Sequence, residues 1–569
     1  MAGSSAGGQT PVSLTAPGAP DPTPVLLATK RSAEEARDIL SAYGLRDLDQ
    51  ADRNLDAMAG DPIQRRRLAD LLPILMDSIS RTADPDQALN HWERMLANAS
   101  RTSLLDYLRA WPRMLDLLCV IFGNSDALAF TLIRDPMLVY WLAEEDVLSR
   151  PPTRNGIARV LHASIERFTS KESKLDALRR FQRREMLRIG VRDLLRIATV
   201  PETTASLSDL ACLLIHAAYE IVDADLKRQY GVPMHQNRQG RWAETRFTVI
   251  GMGKLGGHEL NYNSDVDLIY LYESHDGETR ASRGRRAAVP AGVGISNEEY
   301  FEILARELTR VLVEPTREGY VFRVDLRLRA EGSVGQLARS LDEYKRYYET
   351  RGQVWERLAL LKAWPVAGSH DIGQTFLKLV KPFVLGAGDK VDYAKALAIV
   401  QDVRAVKDMI DDKMTDRGHA QRNVKLGTGG IREIEFFAQT VQVLAGRKMP
   451  ALLDRSTLGS LNRLAHKKLL SIKERDALTA AYLFLRDVEH KLQMVHDLQT
   501  HAIPESSEEL EHCAVRMGYG TDDRKKAAEL FQIDHQRHTE MVHRTFRSFF
   551  VEPMTSPVFK ATLRAMGFK

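Results

Sequence analysis

The stretch Val249–Glu273, VIGMGKLGGHELNYNSDVDLIYLYE, admits two readings that lead to different folds. Gly251, Gly253 and Gly256 spell G-x-G-x-x-G behind the β-prone RFTVI, and Glu273 stands near where a dinucleotide fold places its ribose-binding acid. Such a loop must open a crossover helix leading to a parallel strand, which takes a dozen or more residues. Only HELNYNSD separates Gly257 from the next apolar run, so the helix does not fit and the NAD reading fails. The second reading starts from Asp265 and Asp267. Strand side chains alternate faces, so these two carboxylates project from one face with Cα atoms roughly 6–7 Å apart, a spacing suited to a divalent metal. Asp is depleted in strands, and two of them opening the apolar run VDLIYLYE call for a reason. Upstream, Gly256, Gly257 and Ser264 offer backbone N–H groups and a hydroxyl to a metal-held polyphosphate.

A third carboxylate is expected in GYVFRVDLRLRAEG. Tyr320, Phe322, Val324, Leu326 and Leu328 form one face of a period-two pattern, and Arg323, Asp325, Arg327 and Arg329 the other. Asp325 among cations fits a two-metal clamp with arginines at hand for phosphate oxygens; an exposed amphipathic strand is the plainer account.

These residues resemble the signature of the glutamine synthetase adenylyltransferase family, whose catalytic domains have the polymerase-β-like nucleotidyltransferase fold. Further similarity lies in LRRFQRREMLRIGVRDLL, EPTREGYVFRVDLRLRAEG, VWERLALLKAWPV and NVKLGTGGIREIEFFAQ, so it extends from about Gly123 to about Pro504. Full-length members carry two such halves, one attaching AMP to a tyrosine of glutamine synthetase and one removing it by phosphorolysis. This chain holds one, worded like the N-terminal, AMP-removing half. The resemblance implies Asp265, Asp267 and Asp325 as catalytic, metal-binding residues. It also implies Mg²⁺ or Mn²⁺, ATP or ADP and inorganic phosphate as cofactor and substrates, and Gly256, Gly257, Ser264, Arg327 and Lys362 as contacts to the nucleotide phosphates. Glutamine synthetase and a PII-type signalling protein are the implied partners. The alternatives are adenylylation from ATP and a non-catalytic binding module, against which the complete acid set argues.

Composition sets bounds. The 569 residues suggest two to four domains. Lys plus Arg at 80 against Asp plus Glu at 76 gives +4, no case for nucleic-acid binding. Cys119, Cys212 and Cys513 are too dispersed for a zinc cluster and fit a reducing cytoplasm. No long uncharged apolar span suggests a membrane segment, and the start lacks a signal peptide's apolar core.

The expected class is therefore α+β, predominantly helical. A disordered tail (1–28) precedes a helical region (29–235), a nucleotidyltransferase domain (236–385) and a helical bundle (386–569). Ser32 and Glu35 form a capping box, as Ser340 and Glu343 do. Helices are expected at Ile63–Ile79, Ser125–Glu144, Thr153–Phe168, Leu175–Ile197, Ser206–Tyr230 and Asn297–Leu312, the last beneath the acid-bearing strands. The β-prone pieces cluster between Arg246 and Arg329, interrupted by GETRASRGRRAAVPAGVGIS, read as a mobile loop.

Four constellations remain. Arg180, Arg184, Arg188, Arg192 and Arg196 line a helical ridge, read as a solvated face laced to Glu185 and Asp193 or as a basic surface for the nucleotide or an acidic partner. In VWERLALLKAW, Trp355, Leu358, Ala359 and Lys362 share a helix face, where Lys362 either snorkels or reaches phosphate. KLGTGG (425–430) places a Gly-rich turn before the helix IREIEFFAQTVQVL, suited to an anion or to a plain helix start. Glu435 on that helix's buried face requires a partner such as Arg432 or Arg486. His535 and His538, one turn apart, read as a polar face rather than a zinc pair.

Overall fold

The computed structural model describes residues 19–28, 32–281, 294–386, 393–415, 422–496 and 499–568, and the side chains of 414, 415 and 496 are outside that description. The expected disordered tail falls mainly outside these residues, as does the centre of the Gly, Ala and Arg-rich insertion. The molecule is the predominantly helical α+β protein expected. It divides into two compact units, one of 1–149, 494–497 and 505–531, the other of 150–493, 498–504 and 532–569. Helices between 150 and 230 share a unit with the sheet, whereas the sequence expectation places a border at 235.

The first unit is helical throughout its described residues. The Ser32–Glu35 box caps the helix Ala33–Ser41, with Ser32 Oγ accepting from Glu35 N at 3.1 Å. The expected helix 125–144 is two, Asp126–Arg134 and Leu138–Leu142. Pro136 explains the break, because it lacks an N–H and disfavours helical backbone at Asp135. Trp92 and Phe122 pack edge to face at 5.2 Å in the buried interior.

The second unit holds eight strands among its described residues: β1 (Val232–Gln236), β2 (Trp242–Glu244), β3 (Phe247–Gly251), β4 (Val266–Tyr272), β5 (Glu278–Arg280), β6 (Val324–Asp325), β7 (Ala338–Ser340) and β8 (Trp364–Gly368). One sheet runs β2-β1-β5, so the start of the insertion read as a loop is in fact an edge strand. The main sheet runs β6-β4-β3-β8, with β7 also pairing β4. β3 and β4 are antiparallel, Phe247 opposite Tyr272 and Gly251 opposite Leu268. The Gly-rich segment between them closes in a single helical turn, Gly253–Gly256. That antiparallel return is incompatible with a dinucleotide crossover.

Helices cover both faces of this sheet. Leu268, Tyr270 and Tyr272 pack with the helices Val200–Tyr230 and Asn297–Val313, whereas Ile250, Ile269 and Leu271 pack with Tyr344, Leu360 and Phe376. Burial on both sides explains why β4 is almost continuously apolar. The Val200–Tyr230 helix is long and apolar enough by length and composition to cross a membrane, a span the sequence reading passed over. Here Leu210, Leu214, Ile215 and Val222 lie in the protein core. Its start, six residues before the one expected, is a capping box of Thr199 and Glu202.

Candidate active site

β4 and β6 run parallel with Val266 opposite Val324 and Asp267 opposite Asp325. Two carboxylates distant in sequence are therefore in-register neighbours on adjacent strands, which lie roughly 5 Å apart. Asp265, two residues before Asp267, shares its face. The ladder at β6 is only two residues long, shorter than the alternation from Tyr320 to Leu328 suggested. Arg329 ends it: its buried guanidinium donates to the carbonyls of Leu326 (2.7 Å), Ser333 (3.1 Å) and Gly335 (3.0 Å), folding the chain away from the sheet.

The three acids have unlike surroundings. Arg323 Nε donates to Asp265 Oδ1 at 2.8 Å, and Arg323 also holds the carbonyl and side-chain oxygens of Asn263 at 2.6 and 2.8 Å. Arg327 folds back on Asp325, its backbone N–H on Oδ1 at 2.8 Å and Nε on Oδ2 at 2.9 Å, which holds that carboxyl below its usual range. Asp267 is pushed up to about 6 by burial and then by the charge of Asp325, with a smaller contribution from Asp265; Lys425 and Arg432 pull the other way. Crowded carboxylates, one reluctant to ionise without a counter-charge, are the electrostatic profile of a cation site. Among the described residues no group of three His, Cys, Asp or Glu side chains is gathered closely enough to hold a metal, since Asp265 and Asp325 are turned onto arginines. The donors themselves, three hard carboxylate oxygens beside a glycine, suit Mg²⁺ or Mn²⁺.

The glycine at the acids is Gly253, which the sequence reading used only as a motif position. It has φ +52°, and a Cβ there would collide with Asp267 Oδ2. Gly256 and Gly257 were expected to offer N–H groups to phosphate. Instead these donate to the carbonyls of Met252 and Gly253 at 2.9 and 3.0 Å, closing the helical turn, and Gly256 lies against the Lys362 carbonyl. Ser264 is partly exposed immediately before Asp265, and Arg327 is spent on Asp325.

Lys362 also requires correction. The helix ends at Leu360, and Lys362 lies in the turn that leads into β8. Its buried Nζ pairs with Glu259 (3.0 Å) and Glu435 (2.8 Å) and contacts Thr457 Oγ1 at 3.4 Å. Burial would lower its pKa, but the two carboxylates outweigh that and hold it charged. Lys362 is thus the main partner of Glu435, with the expected Arg432 at 3.9 Å.

The segment between the glycine turn and the acids sends Leu260 into the core and is otherwise pinned by polar contacts. His258 pairs with Asp209 (3.1 Å), Leu260 N donates to Ser208 Oγ (3.0 Å) and Tyr262 OH donates to Asp193 (2.9 Å). Arg486 donates to the Glu259 carbonyl at 2.7 Å. Asp193 is buried and held low; burial opposes this, and Lys491 and His490 overcome it. In the arginine ridge, Arg184 and Arg188 pair with the buried Glu185 of their own helix, and Arg180 reaches Glu318 in a loop, as does Arg183 outside the ridge. Arg192 is itself buried. His538 stacks on Phe484 at 4.7 Å, and burial lowers the pKa of both His535 and His538. A cavity of about 1080 Å³ lined by Arg463, Lys468, Leu470, Arg475, Val558 and Arg564 lies on other elements and borders none of the three acids.

Comparison with known proteins bears on this geometry. Residues 115–379 match the family model of glutamate-ammonia ligase adenylyltransferase, and residues 404–550 that of GlnD PII-uridylyltransferase. The chain is 36% identical over 443 residues to the bifunctional glutamine synthetase adenylyltransferase/adenylyl-removing enzyme of Nitrosococcus oceani, covering 78% of this chain and 43% of that protein. The enzyme of the same description from Thioalkalivibrio sulfidiphilus is 36% identical over 484 residues (85% and 45%), and that from Brucella melitensis 38% over 460 (79% and 44%). The chain spans about half the length of these curated relatives, its matched part covering 43–45% of each.

Proposed function

Because the chain belongs to the glutamate-ammonia ligase adenylyltransferase family, we propose that it is a metal-dependent nucleotidyltransferase that removes AMP from the adenylylated tyrosine of glutamine synthetase by phosphorolysis. The observation that carries the chemistry is the in-register pairing of Asp267 with Asp325, with Asp265 immediately before the strand. A binding module has no use for three carboxylates crowded until one resists ionisation.

In this reading Asp265, Asp267 and Asp325 would hold Mg²⁺ or Mn²⁺, which supplies neutralisation of phosphoryl charge. Arg323 and Arg327, paired with Asp265 and Asp325, would place their guanidinium groups beside the phosphate oxygens. Gly253, with no Cβ, makes room for the Asp267 carboxylate against the turn. An oxygen of inorganic phosphate attacks the AMP phosphorus. The new P–O bond makes ADP, and the bond to the tyrosine oxygen breaks, with the released phenolate taking up a proton. No general base is required, since phosphate is already anionic. Ser264 keeps its proposed place beside the phosphates.

Direction rests on wording such as KLGTGGIREIEF, which resembles the AMP-removing half; attachment of AMP from ATP is the competing direction. A PII-type protein is the proposed regulatory partner, and three buried cysteines fit a cytoplasmic setting. Incubated with adenylylated glutamine synthetase, Mg²⁺ and phosphate, the chain should release ADP, and omission of phosphate should stop it. Robust AMP transfer from ATP to the unmodified enzyme, with no phosphate-dependent ADP release, would reverse the assignment.

A further inference from the structure

The KLGTGG turn has a shape that its helix-starting role does not require. Asn423 Oδ1 accepts from the backbone of Lys425 (3.0 Å) and Leu426 (2.8 Å), and Ile431 and Arg432 donate back to the carbonyls of Val424 (2.9 Å) and Lys425 (3.0 Å). Gly429, at φ +72°, presses on the Thr539 backbone where a Cβ would not fit. The turn is thus rigid and holds Lys425 and Arg432 side by side.

A continuous polar path joins it to the acid face. Val424 N donates to the His501 carbonyl (2.9 Å), His501 Nδ1 stands 3.0 Å from Glu489, and Glu489 receives Lys254 Nζ at 2.7 and 2.9 Å. Lys254 follows Gly253, the residue against the Asp267 carboxylate. Along this path the buried lysines are committed: Lys254 to Glu489, Lys362 to Glu259 and Glu435. Lys425 is half-buried, and among the described residues its ammonium makes no hydrogen bond or ion pair. Arg432 lies over the Phe436 ring at 5.4 Å, with one terminal nitrogen 3.9 Å from Glu435 and its buried Nε unpartnered. The two cations thus belong to the polar network that ends at the Gly253 turn against Asp267, a network whose carboxylates include Glu489 and Glu435. A part-buried ammonium beside other cations is relieved by an anion of matching size.

We infer that Lys425 and Arg432 form the subsite for a tetrahedral oxyanion, inorganic phosphate, beside the carboxylate face. This rests on the acid face being the nucleotidyl site and adds the residues that receive the second reactant. Lys425 supplies a mobile point charge, and Arg432 a planar fork for two oxygens.

Inorganic phosphate titrated calorimetrically into the full chain tests this. Lys425→Met should weaken phosphate about tenfold or more and weaken ADP much less, and Lys425→Arg should restore most of the loss. Unchanged phosphate affinity in Lys425→Met, or no saturable phosphate binding by the parent, would overturn the subsite. The product assay separates this from the proposed reaction. If the parent releases ADP and Lys425→Met keeps the parent's KM for phosphate, the subsite fails and the reaction stands. If the parent binds phosphate through Lys425 and releases no ADP, the reaction fails and the subsite stands.

Discussion

Asp267 is the residue on which most of the site's electrostatics converge. Its carboxyl is pushed up to about 6, first by burial and then by Asp325, against an ordinary value near 4. A folded-state pKa above the unfolded one means the native fold disfavours the charged form. The metal-free protein is therefore undiminished at this position below about pH 4 and loses stability as pH rises through 6. Asp267→Asn removes the charge, so the variant should be more stable than the parent at pH 8 by up to about 3 kcal/mol and lose that advantage near pH 4. Urea denaturation in chelator at both pH values measures this; an advantage that is absent at pH 8 or equal at both would show that Asp267 is not under strain. The acid pair itself was legible, because spacing along a strand is a local property. That Asp267 and not Asp265 carries the strain was not, because burial and the approach of Asp325 come from distant chain.

Among elements, the turn between the Val354–Leu360 helix and β8 shows how a charged residue can be misread from sequence. Helical periodicity continued through Lys362, but the helix stops at Leu360 and the side chain is directed onto Glu259 and Glu435. Those carboxylates lie on segments far away in sequence, so no pattern local to Lys362 announces them. Lys362→Met would leave two buried acids without their cation and should cost on the order of 3–5 kcal/mol, read as a lower denaturation midpoint. Adding Glu259→Gln and Glu435→Gln should recover part of it. Had Lys362 served the nucleotide, Lys362→Met would instead keep its midpoint and lose only ADP affinity. Capping, by contrast, was readable at Ser32–Glu35 and Ser340–Glu343, since both partners lie within one turn.

For the molecule as a whole, the choice between a dinucleotide crossover and an antiparallel return is settled by the β3–β4 ladder, from Phe247–Tyr272 to Gly251–Leu268. NAD should therefore give no saturable binding, whereas ADP with Mg²⁺ should bind; saturable NAD binding without a divalent ion would reinstate the rejected reading. The sequence by itself determined the helical class, the rejection of the crossover and the paired acids, all of which depend on periodicity or on the length of one short segment. Tertiary structure alone decided which glycine faces Asp267, that the N–H groups of Gly256 and Gly257 are used internally, that Lys362 is locked onto Glu259 and Glu435, and that Lys425 makes no ion pair among the described residues. The reason is physical: a residue's chemical type and local spacing are written along the chain, but its burial, its counter-charge and its strand partner are supplied by segments that meet only on folding.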